Sequence, residues 1–398
     1  MKILIAGGDG YCGWASALHL SARGHDVTII DNLIRREWDK EHNLNSLVPI
    51  HSIDERLKEW HRLTGKTIHF VNVDVTNYSD VCKVINCESK FDALVHFAQQ
   101  RSAPFSMINH EHAVRTHINN TIGNMNILWA LHEHSPNTHL VKLGTMGEYG
   151  TPNIDIEEGF INIEYKGRSD RLPYPKQPGS FYHLTKVCDS DQINFACRTW
   201  NLRATDLNQG VVYGYSTPEI DLSSILANRF DYDHIFGTVL NRFCIQAALG
   251  HPLTVYGKGG QTRSIIDIRD TVKCIEIACE IPAKPGEYRV FNQFTEMFSV
   301  LDLAKLVQQV SENQFHRECK ITHLKNPRTE KEVHYYNCIN TNLRSLGLQP
   351  TLLSNETIAS LIQLSKKYAD RVNLKLIPPQ VQWNSDEQGT ATIINNEH

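Results

Sequence analysis

The 398-residue chain lacks long apolar runs, basic runs and paired cysteine motifs, and each absence excludes a class of protein. No apolar segment reaches the ~20 residues that a membrane-spanning helix needs. The net charge is −4 with the two signs mixed along the chain, which does not indicate a surface for nucleic acid. We therefore expect a soluble protein whose partners are neither membranes nor nucleic acids.

The ten cysteines form no Cys-x-x-Cys pair and no zinc-like spacing. They are predicted to be reduced thiols, most of them buried, in an intracellular protein. The histidines show no ligand spacing either, so we predict no metal site. The first strand begins at residue 2, which favours the cytoplasm, or the plastid stroma if a transit peptide has been removed.

Strands and helices alternate through the first half of the chain, and the length suits two lobes. This pattern predicts an α/β fold: a Rossmann-type, doubly wound parallel sheet with a smaller mixed α/β substrate lobe. We predict an NAD-binding domain over residues 1–210, a sugar-nucleotide lobe over 211–375 with segments returning to the first domain, and a weakly structured tail over 376–398. Strands are predicted at 2–6, 26–30, 67–71, 93–97 and 140–143, helices at 14–22, 54–63 and around 119–123, and a loop at 150–179.

A glycine-rich turn directly follows the first strand. Gly7, Gly10 and Gly13 form the G-x-x-G-x-x-G variant of the dinucleotide fingerprint. Glycine permits the tight turn and lets the backbone approach a pyrophosphate at the helix N-terminus. Asp31 ends the second strand, where an acidic residue binds the adenosine ribose hydroxyls and would repel a 2′-phosphate. The sequence therefore predicts NAD rather than NADP.

Other residues near these strand ends are predicted to contact the same cofactor. Arg35 and Arg36 could in principle hold a 2′-phosphate, but we interpret them as flanking the adenosine or as solvated. Asp74 and Val75 follow the third strand, where adenine edges are commonly read. The remaining predicted contacts are Tyr11, Cys12, Asn32, Arg101, Asn119, Thr145, Tyr182, Lys186, Gln209 and Val212.

Tyr182 and Lys186 stand four residues apart, so they share one face of a helix. A cation near a phenol favours its ionised form, and a phenol with a lowered pKa can take a proton from a sugar hydroxyl. A base that works near neutral pH needs a shift worth ~4 kcal/mol from its surroundings. Tyr-x-x-x-Lys also occurs by chance in helical proteins, so the spacing alone is weak.

Thr145 with Tyr182 and Lys186, downstream of this glycine turn, resembles the extended short-chain dehydrogenases that act on nucleotide sugars. The resemblance implies that these three residues are catalytic. The Thr145 hydroxyl would bridge to the sugar O4, Tyr182 would remove the O4 proton, and hydride would pass from C4 to NAD. Lys186 would hold the nicotinamide ribose and lower the tyrosine pKa.

Longer segments resemble the family of UDP-sulfoquinovose synthases. They are residues 96–104 (HFAQQRSAP), 144–150 (GTMGEYG), 206–214 (DLNQGVVYG) and 254–263 (TVYGKGGQTR). The resemblance implies an enzyme that converts UDP-glucose and sulfite to UDP-sulfoquinovose by C4 oxidation, loss of water across C5 and C6, sulfite addition and C4 re-reduction. Such enzymes form a carbon–sulfur bond and are grouped with hydrolases acting on C–S bonds. The resemblance also implies a homo-oligomer, either a dimer or a tetramer. It leaves open whether a partner protein donates the sulfite.

The two residues after Thr145 differ from those of related 4,6-dehydratases. Those enzymes carry an Asp-Glu pair there, whereas this chain has Met146 and Gly147. Paired carboxylates would repel a sulfite dianion, so their absence fits the proposed substrate. The C5 base and the C6 acid stay open, and His183 and Glu148 are candidates that could equally be structural. Arg101 could hold sulfite or polarise the C6 oxygen, or form a salt bridge that supports its loop.

The UDP moiety requires cations for its two phosphates. Arg242, Arg263 and Arg328 are candidates because a guanidinium binds phosphate bidentately. The resemblance places Thr238 and Gln209 near them, and Arg101, Thr145, Tyr182 and His183 complete the predicted substrate set. Two rival hypotheses remain: a UDP-glucose 4-epimerase-like enzyme that omits the elimination, and a cofactor-binding regulatory protein without turnover.

Overall fold

The computed structural model describes residues 1–383 of the chain. Its strands are β1 (Lys2–Ala6), β2 (Asp26–Asp31), β3 (Ile68–Asn72), β4 (Ala93–His96), β5 (His139–Thr145), β6 (Phe160–Tyr165), β7 (Arg168–Pro173), β8 (Arg203–Gln209), β9 (Val211–Tyr213), β10 (Leu253–Tyr256), β11 (Thr262–Asp267), β12 (Tyr288–Gln293), β13 (Glu296–Ser299) and β14 (Ile321–Leu324). Its helices are α1 (Tyr11–Ala22), α2 (Ile34–Glu41), α3 (Ile53–Thr64), α4 (Tyr78–Ile85), α5 (Ala103–Ser106), α6 (His110–His117), α7 (Gly123–His134), α8 (Phe181–Trp200), α9 (Val239–Leu249), α10 (Ile268–Glu280), α11 (Val300–Phe315), α12 (Thr341–Ser345) and α13 (Asn355–Lys367).

The main sheet is parallel throughout. Within the described residues it has seven strands in the order β12-β8-β5-β4-β1-β2-β3. The order reverses beside β1, and ligands of such sheets bind beyond the carboxyl ends of the strands at this point. The predicted Rossmann-type fold is confirmed, and the five predicted strands lie within two residues of the observed ones.

Alternating side chains of each central strand enter two separate cores, because successive residues of a strand face opposite sides. Ile3 and Ile5 of β1 join a cluster with α1 and α10. Leu4 and Ala6 join another with α4, α7 and α8. A run that is apolar at every position therefore forms a strand buried on both faces, as parallel sheets require.

The second half of the chain forms a smaller lobe around α9, α11 and α13. Its small sheets are β13-β11-β9 and β10-β14. The lobe is interleaved with the first half of the chain, because β12 returns to pair with β8, and Leu47 and Val48 from the connection after β2 pack into the lobe's core. The predicted domain boundary at residue 210 stays a prediction.

The long connection between β2 and β3 is fastened to the glycine turn by buried charges. Ser52 and Glu55 form a capping box that begins α3. One turn into that helix, the fully buried Arg56 stacks over the Trp14 ring at 3.7 Å and donates to Asp9 at 2.9 Å. Asp9 belongs to the turn that follows β1, so the connection supports this turn from behind.

The structure differs from the sequence predictions in two segments. Residues 150–179 were predicted as loop, but they contain the β6–β7 hairpin, which turns at Lys166 and Gly167 with positive φ. Every residue of β7 is exposed, so no apolar periodicity marked the strand. The predicted weakly structured tail over 376–398 stays a prediction; its first part is packed on the lobe, because Ile377 is buried and Trp383 donates its backbone N–H to the carbonyl of Pro327 at 3.0 Å. Residues 384–398 of that prediction lie outside the described residues.

Two further observations bear on the sequence predictions. All ten cysteines are free thiols and six are buried, as predicted. Among the helices of residues 1–383, none is long and apolar enough to cross a membrane.

Two arginines of α3 provide a test of the buried ion pair behind the glycine turn. Arg56→Ala should lower the free energy of unfolding by about 3–5 kcal/mol, because it leaves part of the buried Asp9 charge uncompensated. Arg62→Ala is the matched control: Arg62 pairs with Glu59 at 2.7 Å, but its side chain is 66% exposed, so a loss below about 1 kcal/mol is expected. Urea unfolding measures both, and equal losses would contradict the assignment.

Candidate active site

One cavity of about 690 Å³ lies between the carboxyl ends of the sheet strands and the smaller lobe. Almost every residue predicted from the sequence to act at a site lines it, and the exceptions are Arg36, Asp74 and Glu148. The lining includes Gly7, Gly10, Tyr11, Cys12, Gly13, Asp31, Asn32, Arg35, Val75, Arg101, Asn119, Thr145, Tyr182, His183, Lys186, Gln209, Val212, Thr238, Arg242, Arg263 and Arg328.

The glycine turn forms a cradle that only glycine can build. Gly7 has φ +87°, and a Cβ added there would lie 2.5 Å from the backbone nitrogen of Ala98. A Cβ on Gly13 would lie 2.1 Å from the carbonyl oxygen of Gly7. Gly10 precedes α1, whose first turn carries no acidic residue. This end of α1 therefore offers backbone N–H groups and a partial positive charge to a pyrophosphate.

Asp31 stands at the far side of this cradle. Its carboxylate accepts from the backbone N–H groups of Asp9 at 2.9 Å and Leu33 at 2.7 Å. Burial, and then the nearby Asp9 carboxylate, raise its pKa above the usual aspartate range. The two backbone bonds orient the carboxylate toward the cavity, where its remaining lone pairs can accept from ribose hydroxyls.

Asp74 and Arg36 do not line the cavity, and their predicted cofactor contacts stay predictions. Asp74 accepts from the backbone and hydroxyl of Thr76 at 2.8 and 2.7 Å and from Asn32 at 3.0 Å, so its carboxylate is satisfied away from the cavity. Arg36 donates to both oxygens of Asp9, at 2.8 and 2.7 Å. It therefore supports the glycine turn from behind.

Arg35 lines the cavity, but its charge is already committed. Its guanidinium pairs with Asp39 and with Asp231 and stacks over the Phe236 ring at 3.7 Å. The sequence left two interpretations of Arg35 and Arg36: that they flank the adenosine, or that they are solvated. The ion pairs of both residues argue against the second. Because both are paired, neither offers a free cation for a 2′-phosphate, which supports the preference for NAD.

Thr145, Tyr182 and Lys186 come together where β5 ends and α8 begins. Ser180 caps α8 by accepting from the backbone N–H of His183 at 3.2 Å, and Tyr182 follows in the first turn. The Thr145 hydroxyl lies near the Tyr182 phenol and lowers its pKa slightly. The Lys186 ammonium lies 5.9 Å from the centre of the Tyr182 ring and donates to the Leu143 carbonyl at 2.6 Å.

The electrostatics of this pair differ from the expectation of a lowered tyrosine pKa. Burial, followed by the Glu148 carboxylate, raises the pKa of Tyr182 above its ordinary value, and the charges of Lys142 and Arg101 only partly offset this effect. Burial and the neighbouring Lys142 lower the pKa of Lys186 to about 8. Within the protein alone, Tyr182 is a protonated phenol.

His183 fills the space that Gly147 leaves open. A Cβ on Gly147 would lie 2.3 Å from the His183 Nε2 atom, so no side chain fits at position 147 beside this ring. The His183 Nδ1 atom lies 2.9 Å from the Ser180 hydroxyl. Burial, with the charges of Arg328 and Arg263, lowers the His183 pKa to about 3. The imidazole is therefore neutral at physiological pH.

The surroundings of Glu148 favour a structural role, and its candidacy as the C5 base or the C6 acid stays a prediction. Glu148 is fully buried, it is not among the cavity-lining residues, and it pairs with Lys142 at 3.2 Å and with Lys176 at 2.6 Å. Lys142 pairs with Glu148 but was not predicted as a site residue. Its position inside a strand does not indicate in the sequence which groups its ammonium binds.

Arg101 forms the salt bridge that was one of its two predicted roles, and its predicted contact with sulfite stays a prediction. It lines the cavity, and it also donates to Asp231 at 2.5 Å and to the Phe236 carbonyl at 3.1 Å. Its side chain is 38% exposed, whereas that of Asp231 is 5% exposed. The guanidinium is thus held at the cavity wall by a buried carboxylate.

Three arginines converge on the lobe side of the cavity. Arg242 stacks over the Tyr256 ring at 4.3 Å, Arg263 pairs with Glu330, and Arg328 lies 5.3 Å from the centre of the Trp383 ring. Burial and the charge of Arg263 lower the pKa of Arg328 below the usual arginine value. With one carboxylate among them, this wall is positive and suits a diphosphate.

Buried donors without partners lie on the same side. The Thr238 hydroxyl and the Arg242 Nε atom have no hydrogen-bond partner among the described residues. A buried donor left unpaired is costly, so these atoms are available to a ligand. Tyr256, Gln261 and Trp383 also lie on this wall and were not predicted from the sequence. Trp383 was missed because it lies in the segment predicted as a loose tail.

Histidine and carboxylate atoms also come together away from the cavity. Glu41, His42 and His112 offer ligand atoms within 4.8 Å of one another. Arg115 donates to both oxygens of Glu41, at 2.8 and 3.0 Å, and His112 and His42 face each other through their Nε2 atoms at 3.3 Å. Because these contacts satisfy the group without an ion, we assign no metal to it.

Comparisons with known proteins agree with the site. Residues 3–292 match the NAD dependent epimerase/dehydratase family. The UDP-sulfoquinovose synthase, chloroplastic, of Spinacia oleracea is 56% identical over 382 residues, which cover 96% of this chain and 79% of that protein. The UDP-sulfoquinovose synthase of Sulfolobus acidocaldarius is 42% identical over 390 residues, which cover 97% of this chain and 98% of that protein.

Solved structures share the fold at low identity. A UDP-glucuronic acid 4-epimerase from Bacillus cereus has a TM-score of 0.69 at 18% identity, covering 92% of this chain and 99% of its own. A UDP-glucose-4-epimerase from Stenotrophomonas maltophila has a TM-score of 0.70 at 18% identity, covering 94% of this chain and 100% of its own. With the match over residues 3–292, these comparisons show that the chain belongs to the NAD dependent epimerase/dehydratase family.

Proposed function

We propose that the protein converts UDP-glucose and sulfite to UDP-sulfoquinovose. The observation that carries the proposal is the neutral His183 ring in the space beside Gly147, next to Thr145 and Tyr182. This arrangement replaces the carboxylate pair of a dehydratase with a group that does not repel an anion. The 56% and 42% identical relatives, both UDP-sulfoquinovose synthases, support the same reaction.

The residues of the cradle fit NAD. Gly7 and Gly13 leave no room for a Cβ, so the backbone N–H groups at the start of α1 would face the pyrophosphate, and Asp31 would accept from the adenosine ribose. Lys186 and Asn119 also line the cavity and would contact the nicotinamide half of the cofactor. When bound, NAD supplies the redox chemistry by accepting hydride from the sugar C4 and returning it.

Proton removal at O4 falls to Tyr182. The Thr145 hydroxyl lies near the phenol, where it would bridge the phenol to the sugar O4. Burial works against ionisation of Tyr182, so the phenol needs positive charge nearby. Arg101 and Lys142 contribute such charge, and Lys186 lies 5.9 Å from the ring centre.

We assign the removal of the C5 proton to His183. In the tautomer that donates Nδ1–H to the Ser180 hydroxyl, Nε2 carries a lone pair beside Gly147. Oxidation at C4 makes the C5 hydrogen acidic, so a neutral imidazole can take it and pass it to the C6 hydroxyl, which leaves as water. The nucleophile enters as hydrogen sulfite: its sulfur lone pair forms the C6–S bond as the C5–C6 double bond opens toward the C4 carbonyl. The proton that it carries passes to His183 Nε2, and His183 delivers this proton to C5.

Arg101 is the residue that we assign to the entering sulfite. Its guanidinium lies on the cavity wall, and its ion pair with Asp231 at 2.5 Å keeps it extended and oriented. An anion that approaches C6 would meet this cation rather than a carboxylate. The diphosphate of the substrate would lie against Arg242, Arg263 and Arg328, with Thr238 donating to it.

Several finer predictions are proposals of the same kind. A dimer or tetramer is supported by exposed apolar side chains on neighbouring helical elements, namely Ile118, Ile122, Trp129, Phe181 and Phe195. A sulfite-donor protein, the cytoplasm or plastid stroma as compartment, and the grouping with hydrolases of C–S bonds stay predictions. The geometry of the cavity bears on none of these three.

The product distinguishes the proposal from the epimerase alternative. Purified protein given UDP-glucose and isotopically labelled sulfite should form a sulfonated nucleotide sugar, detected by mass spectrometry. Omission of sulfite is the control and should abolish that mass. If UDP-galactose is the only product in both reactions, the chain is an epimerase and the main proposal fails.

Removal of one hydroxyl tests the role of Tyr182. Tyr182→Phe should lower the rate of product formation by about 10²–10⁴-fold, because the base is lost, while NAD stays bound at the wild-type stoichiometry. Tyr165→Phe is the control, since Tyr165 lies on the β6–β7 hairpin and is 68% exposed. Turnover at the wild-type rate in Tyr182→Phe would refute the assignment.

A single methyl group tests the space shared by Gly147 and His183. Gly147→Ala should push the His183 ring away from Ser180, because the new Cβ would otherwise lie 2.3 Å from Nε2. Formation of the sulfonated product should fall at least about tenfold, as it should in His183→Ala. The rate of C4 oxidation, measured by the absorbance of reduced nicotinamide, should stay near the wild-type value. Normal sulfonation in Gly147→Ala would remove His183 from the mechanism.

A further inference from the structure

A charge-balanced cluster is buried between the main sheet and α8, directly behind the catalytic residues. Its members are three ammonium groups and three carboxylates, each at most 11% exposed. They are Lys142, Lys176, Lys186, Glu148, Asp189 and Asp206. Buried charges are costly unless they are paired, and an apolar core of the same volume would stabilise the fold as well or better. A cluster in this place therefore calls for a functional explanation.

Lys142 is the centre of the cluster. It lies on β5 and is fully buried, and its ammonium is within 3.0–3.3 Å of four acceptors. Two of these acceptors are the Glu148 carboxylate at 3.2 Å and the Asp206 carboxylate at 3.3 Å. The other two belong to α8: the Ser190 hydroxyl at 3.0 Å and the backbone carbonyl of Lys186 at 3.2 Å.

Both catalytic segments are connected to this ammonium. The bond to the Lys186 carbonyl fixes the turn of α8 that carries the catalytic lysine. The Glu148 carboxylate accepts from the backbone N–H of Thr145 at 3.4 Å, which fixes the end of β5. Its other oxygen accepts from Lys176 at 2.6 Å, and residues 177–179 after that lysine form part of the cavity wall.

We propose that Lys142 is a positioning residue, whose buried ammonium holds the Thr145 end of β5 and the Lys186 turn of α8 at the separation that C4 oxidation requires. The proposal rests on the proposed roles of Thr145, Tyr182 and Lys186 and adds a residue that touches neither substrate nor cofactor. Through Glu148 and Lys176, the same ammonium also sets the position of the wall beside the sugar.

The charge of Lys142 has a second effect on the same groups. It opposes protonation of Lys186, whose pKa is lowered to about 8 by burial and by this neighbour. It also lowers the pKa of Tyr182, against the larger effect of burial. Loss of the ammonium should therefore move the alkaline limb of the pH–rate profile to higher pH, which a change in packing alone would not do.

The test measures C4 oxidation in rapid-mixing experiments with the full chain, NAD and UDP-glucose, by the absorbance of reduced nicotinamide. Lys142→Met should slow this step at least about tenfold with NAD binding retained. Lys142→Met/Asp206→Asn removes one charge of each sign, so the melting temperature should return toward the wild-type value while the rate stays low. Lys83→Met is the control, because Lys83 is 71% exposed and pairs with Asp80 at 2.7 Å.

Ser190→Ala serves if Lys142→Met does not fold. It removes only the hydroxyl that lies 2.9 Å from the Glu148 carboxylate and 2.7 Å from that of Asp206, and the rate should fall by about three- to tenfold. A wild-type rate in the folded variants, or full recovery of the rate in the double variant, would overturn the proposal. The readout is independent of sulfonation: wild-type protein that oxidises C4 without forming a sulfonated product would refute the proposed function alone.

Discussion

The chemistry of this protein depends on the contact between the end of β5 and the first turns of α8. Thr145 lies at the end of the strand, and Tyr182 and Lys186 lie on the helix. The contact is made by polar bonds: Lys186 donates to the Leu143 carbonyl at 2.6 Å, and Lys142 binds the Lys186 carbonyl at 3.2 Å. Hydrogen bonds have narrow limits of distance and angle, so they define the separation more tightly than apolar packing would.

A steric constraint shapes the part of the site that acts after C4 oxidation. Gly147 and His183 are far apart in sequence, yet position 147 must be a glycine because the His183 ring fills the adjacent space. Met146 packs against Tyr149 and Tyr174 in an apolar cluster, so neither position after Thr145 presents a carboxylate. A neutral ring in place of two acids leaves the region around the sugar C6 without negative charge from these positions.

The features predicted from sequence were those whose cause is local. Glycines in a turn, an apolar run and a four-residue helical spacing each produce their structure from neighbouring residues. The positions of Glu148, Arg36 and Asp74 outside the cavity lining could not be predicted, because each depends on a partner distant in the chain or on a neighbour that binds it. Arg36 binds Asp9, 27 positions away, and Glu148 binds Lys176, 28 positions away.

Sequence patterns also predict poorly where a segment has no apolar face. Strand β7 is such a segment, and only its pairing with β6 defines it. Trp383 presents the opposite case: a single aromatic residue in a polar stretch lies against Arg328 and lines the cavity, which no local pattern could indicate.

Charge is distributed in the cavity according to what each region must bind. Guanidinium groups line the lobe side of the cavity, where we propose that the diphosphate lies, and Arg101 lines the wall at which we propose that sulfite enters. Most of the carboxylates beside them are already paired: Asp231 with Arg101, Glu330 with Arg263, and Glu148 with two lysines. Paired acids orient their cations without presenting net negative charge to the ligand. Asp31 is the exception, and it lies at the adenosine end, where hydroxyls rather than anions must be held.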